Sequence, residues 1–188
     1  MGRPLTAGPE GGAPAPAPAG APAPEPQPGG GGGPVAFSAG DFMWFIGTAL
    51  DEMVRILRQL GDETANRRPD LSGANSPFAI LTHCLGVMEF WGGCMVSGRV
   101  IERDREAEFT AVGQVEDLVR RTEAARRQLD LDISRLDSAA VPSGALGPED
   151  AGTPYGRSQG AVLLHVLEEL LQHLGQMQLT RDILLAGD

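Results

Sequence analysis

The chain has 188 residues, 41% of them hydrophobic, with a formal net charge of −10 and an isoelectric point near 4.7. That length fits one domain of ordinary size, and the acidic balance excludes the basic face that nucleic-acid binding requires. With no charged-then-apolar leader and no uninterrupted apolar run of about 18 residues, the sequence predicts a soluble, cytoplasmic protein with neither a nucleic-acid nor a membrane partner.

Residues 1 to 36 hold ten of the fifteen prolines, in runs such as APAPAPAGAPAPEPQPGGGGG. Almost nothing there is apolar and larger than alanine or proline, so burial cannot offset the ordering entropy. A disordered Pro/Ala/Gly-rich tail is predicted over 1–36 and a folded domain over 37–188. All fifteen positive residues are arginine, a bias that together with the Ala/Gly/Pro richness suggests a GC-rich bacterial genome.

The folded part reads as four helices. The first is predicted from about Asp41 to Leu60, with Phe42, Phe45, Ile46, Ala49, Leu50, Met53, Val54 and Leu57 at three-four spacing and Gly61 as its stop. Ser76 and Pro77 supply an N-cap and a first-turn proline for a second helix reaching about Val100. The third spans about Gln114 to Leu136, with Glu116 to Arg120 and Glu123 to Arg127 as i,i+4 pairs on a solvated face. A long connection rich in Gly, Pro and Ser leads to the fourth, from about Ser158 to Leu185. No strand pattern competes, so the fold class is all-α, an antiparallel four-helix bundle, an architecture whose core commonly houses metal and cofactor sites.

Cys84 and Cys94 are too few for a disulfide framework. Both fall on the second helix, about 15 Å apart along its axis, and cannot bridge within it. A reducing compartment is the simplest setting.

The fourth helix carries ionisable groups inside a leucine-rich stretch, HVLEELLQHLGQ. Glu169 and His173 lie four residues apart, about 40° from one another, with Val162, Val166, Met177 and Thr180 around the same azimuth. A carboxylate on such a face is costly unless it is paired or metal-bound. His165 lies about 80° from His173, nearer the flank. On the second helix, His83 is in line with Ile80, Gly86, Val87, Phe90 and Cys94, a strip that faces inward. Cys94 sits about 16 Å further along the axis and reads as packing. Two histidines and a carboxylate converging inside a bundle, His83, Glu169 and His173, match an open catalytic metal site with three protein ligands and room for water or substrate.

The stretches NSPFAILTHCLGVMEFWGG and HVLEELLQHLGQ resemble the DinB-like superfamily, and more closely its actinobacterial branch of mycothiol-dependent transferases. The resemblance covers about residues 40 to 185. It implies a four-helix bundle holding a divalent metal through His83, His173 and Glu169, with zinc foremost and nickel or iron as alternatives. The mycothiol-dependent maleylpyruvate isomerases are similar in using a His, Glu, His set, but carry an additional C-terminal domain, so the isomerase reaction itself is not implied.

The implied activity is metal-dependent S-transfer, with mycothiol as cosubstrate and a small electrophile as the other partner; a homodimer is compatible with it. The metal charge would favour thiolate over thiol at neutral pH, leaving sulfur ready to attack a conjugated carbonyl, an epoxide or an alkyl halide. The GC-rich composition favours mycothiol over bacillithiol. Two other classes fit the same residues: a metal-dependent hydrolase whose ion activates water, and a non-enzymatic metal-binding bundle.

Overall fold

A computed structural model describes residues 37–144, 146, 147, 150 and 152–187. The expected disordered tail over 1–36 lies outside them. Among the described residues there is no strand, and four long helices and one short helix carry the fold.

Helix α1 (Ala39–Asn66) starts at a capping box, Ser38 accepting from the Asp41 amide while the Asp41 carboxylate accepts from the Ser38 amide. It buries Phe42, Ile46, Leu50, Met53, Leu57 and Leu60 along one stripe. Gly61 does not stop it. With φ of 68° the glycine kinks the chain, and helix resumes to Asn66. The extension does local work: the Asp62 carboxylate accepts from the Val115 amide, and Asn66 bonds both backbone groups of Gly113.

Helix α2 (Pro77–Val87) opens as expected, with Ser76 capping the Ala79 amide, and is buried on nearly every side. It continues as a π-helical segment, Met88–Val96, ending short of Val100. The two glycines there permit close neighbours: a Cβ on Gly92 would overlap Leu129, and one on Gly93 would overlap Arg99 and Ile101. Pro77–Val96 is long and apolar enough to cross a membrane, but most of it is buried within the bundle, as a core helix should be.

A six-residue helix, α3 (Arg105–Thr110), capped by Asp104, lies in the crossover that follows. Helix α4 (Val115–Ile133) buries Leu118, Val119, Ala125, Leu129 and Ile133. Its expected internal pair Glu116–Arg120 is not formed: Glu116 meets Arg58 of α1 at 2.8 Å and Arg120 turns to Asp117. Asp132 near its end is buried and accepts from Ser97, Arg99 and Gln128, tying the end of α2 to α4. Helix α5 (Gln159–Ala186), capped by Ser158, closes the bundle.

Asp62 beside Val115 and Asp51 beside Arg126 set α1 and α4 antiparallel. His83 beside His173 and Val96 beside Gln159 do the same for α2 and α5. Phe78 beside Gly113 and Gly92 beside Leu129 set α2 parallel to α4. The long helices therefore run up, down, down, up, so the connection after α2 crosses the length of the bundle, while the long connection after α4 begins and ends at the same end. That arrangement lays the middle of α2 against the middle of α5, where His83, Glu169 and His173 meet.

Candidate metal centre and the cavity beside it

His83 is 2% exposed in the centre of α2. Its Nε2 lies 3.4 Å from Glu169 Oε2, and His173 Nε2 lies 3.4 Å from the same oxygen. The two imidazoles meet edge to face at 4.8 Å between centroids. One donor atom from each of the three residues falls within 4.8 Å of the others. Tetrahedral coordination with bonds of about 2.1 Å separates ligand atoms by about 3.4 Å, so the two measured edges suit a single shared cation.

The far side of each ring supports this orientation. His83 Nδ1 is 2.8 Å from Glu108 Oε2, and a carboxylate can only accept, so Nδ1 carries the hydrogen. His173 Nδ1 donates to Gln176 Oε1 at 2.8 Å. With both Nδ1–H groups committed, both Nε2 lone pairs face a carboxylate oxygen. Such a set of three acceptors needs a cation, or a second proton on the imidazoles, between them.

The electrostatics agree. Where the second proton fills that role, hydrogen bonds from His173 and then His83 hold the Glu169 carboxyl far below the usual carboxylate range, against the opposing effect of burial. Burial presses His83 toward its neutral form, but hydrogen bonds to Glu108 and Glu169 outweigh it and leave its pKa raised. Glu108 is likewise opposed by burial, yet its bonds to His83 and Arg103 hold it low.

Helix α3 supplies the supporting shell, and the sequence reading missed it. Glu108 is 8% exposed and takes Arg103 on both oxygens, at 2.7 and 2.9 Å. Phe109 stacks on the His83 ring at 4.4 Å. Gly86, one turn beyond His83, leaves the space that the Glu108 carboxylate fills, since a Cβ there would overlap it. The only sequence signal was Asp104 as an N-cap, followed four residues later by an acid.

Beside the donor cluster is a cavity of about 280 Å³ whose walls include His83, Glu169, Phe90, Trp91, Tyr155 and His165. His165, placed on the flank by helical phase, is thus part of this site without belonging to the donor cluster. Its ring is stacked on Tyr155 at 3.8 Å and meets Trp91 edge-on at 4.7 Å. The cysteines do not join the cluster. Cys84 is fully enclosed and burial pushes its thiol well above the ordinary range, so it is no nucleophile at neutral pH. A family model described as mycothiol-S-transferase matches residues 42–186. No curated protein and no solved structure matches the chain.

Proposed function

The chain belongs to the mycothiol-S-transferase family, and on that premise we propose that it joins mycothiol to a small electrophile at a divalent metal held by His83, Glu169 and His173. The observation that carries the reading is the convergence of three acceptor atoms within 4.8 Å, with both histidine Nδ1 atoms engaged by Glu108 and Gln176, at the wall of an open cavity.

Zinc suits the donor set best, with nickel or iron as alternatives. Its charge would favour thiolate over thiol at neutral pH. The protein's own groups do the rest. Glu108 and Gln176 fix the tautomer and tilt of the two imidazoles. Phe90, Trp91 and Tyr155 wall the space in which sulfur and electrophile meet, and keep bulk water from competing. Sulfur attacks carbon, an S–C bond forms, and the electron pair leaves onto halogen or oxygen. We place this chemistry in the cytoplasm, where a reduced thiol cosubstrate is available.

Incubating the purified full-length protein with electrophile, with and without mycothiol, tests the reading by mass spectrometry. A thioether that forms only with mycothiol, and not in His83→Ala, is the expected result. Consumption of the electrophile without thiol would make the protein a hydrolase instead.

A further inference from the structure

All three histidines of the chain gather at this one site. Two are donors in the cluster, and the third, His165, has no such part. Its ring is 8% exposed, fixed between the Tyr155 face and the Trp91 edge. Nδ1 lies 3.4 Å from Glu168 Oε2, which can only accept, so the hydrogen of the neutral ring sits on Nδ1. Nε2 has no hydrogen-bond partner among the described residues, yet none of their fully buried side-chain nitrogens and oxygens lacks one. Nε2 is therefore accessible, and His165 lines the cavity together with His83 and Glu169. A histidine held rigidly by aromatics in the wall of a reaction space, with a carboxylate behind one nitrogen and the other accessible, has the construction of a general acid–base group.

We propose that His165 carries the proton of the transfer, taking it from the thiol through Nε2 and returning it to the oxygen of the electrophile. This rests on the transferase reading. The thiol S–H bond breaks and its proton goes to Nε2, giving an imidazolium whose Nδ1–H faces the Glu168 carboxylate. The S–C bond then forms. With an epoxide the C–O bond breaks and its electron pair stays on oxygen; with a conjugated carbonyl the π electrons move onto oxygen. In both, oxygen takes the proton from Nε2, the ring returns to its neutral form, and no further reactant is needed. An alkyl halide has no oxygen to protonate: halide leaves with its electron pair and the proton passes to water. The substrate class that uses this device is the oxygen electrophile.

The test compares zinc-loaded, full-length wild type, His165→Ala and His165→Gln with mycothiol and two matched benzylic probes, styrene oxide and benzyl chloride. Proton transfer by a positioned group is worth roughly 100-fold or more. The kcat on styrene oxide should fall by about that factor in both variants, and by at least about tenfold more than the kcat on benzyl chloride. Added imidazole should restore styrene oxide turnover in His165→Ala, and bound zinc should match wild type. If His165→Ala loses its helical circular dichroism, the glutamine variant carries the comparison. Equal losses on the two probes, or an undiminished rate on styrene oxide, would overturn the proposal. A wild type that conjugates mycothiol to neither probe would overturn the transferase reading itself, and the proposal with it.

Discussion

Replacing Glu108 tests how much of the centre depends on the short helix α3. Its carboxylate makes three contacts under 3 Å: one to His83 Nδ1 at 2.8 Å and two to Arg103 at 2.7 and 2.9 Å. Glu108→Ala removes all three. The Arg103 side chain is 15% exposed and can turn partly to water, whereas His83 at 2% exposure cannot. The stability loss is therefore closer to that of one buried charge-assisted bond than to the sum of three, about 2 to 4 kcal/mol. Freed of its acceptor, the His83 ring can also tilt away from Glu169, and loss of such a supporting partner weakens metal binding by about 10- to 100-fold. Glu108→Gln, which keeps an oxygen for Nδ1–H, should lie near the lower figure. Competition with a chromophoric chelator measures the affinities, and urea melts of the chelated proteins measure the stability. An alanine variant that binds zinc as tightly as wild type would refute the supporting role.

Three further expectations follow from the same geometry. Gly86→Ala places a methyl group where the Glu108 carboxylate lies, and should lower zinc affinity to about the extent of Glu108→Gln; Gly175→Ala, where a Cβ meets nothing within 4 Å, should instead raise stability by about 0.5 to 1 kcal/mol in urea melts and leave zinc affinity alone. In chelated protein, Glu169→Gln should lower stability most near about pH 6 and less on either side. The depressed Glu169 contributes fully above its ordinary value of 4.5 and loses its contribution as pH falls toward its folded value, while the raised His83 contributes below its ordinary 6.5 and stops as pH rises through its folded value. Urea melts of the two proteins across pH should show that maximum, and a difference independent of pH would count against the ion pair.

Helices α1 and α4 were legible from their three-four stripes, and α2 and α5 from long apolar runs that begin at a serine cap. Gly61 misled because a positive-φ glycine can kink a helix as well as end it; what decides is tertiary, the engagement of Asp62 and Asn66 with the start of α4. In the π-helical segment Gly92 and Gly93 admit Leu129 and Arg99, contacts that no local pattern encodes. Helix α3 is too short to show a period, so Glu108 and Phe109 passed unnoticed. Periodicity did point to His83, Glu169 and His173 as one inward group, and the fold brings their donor atoms together. The same phase kept His165 out of the donor cluster, as the fold does, but phase on one helix cannot show a cavity whose walls also come from α2 and the segment bearing Tyr155.

The most direct test of the metal-centred transfer is the rate of mycothiol conjugation against bound zinc. The full-length protein would be stripped by chelator and reloaded in steps, with metal content measured at each. The rate should be negligible in the stripped protein, rise in proportion to zinc up to about one equivalent per chain, and stay negligible in His83→Ala at every step. Conjugation at the full rate by stripped protein, or by His83→Ala, would contradict the account.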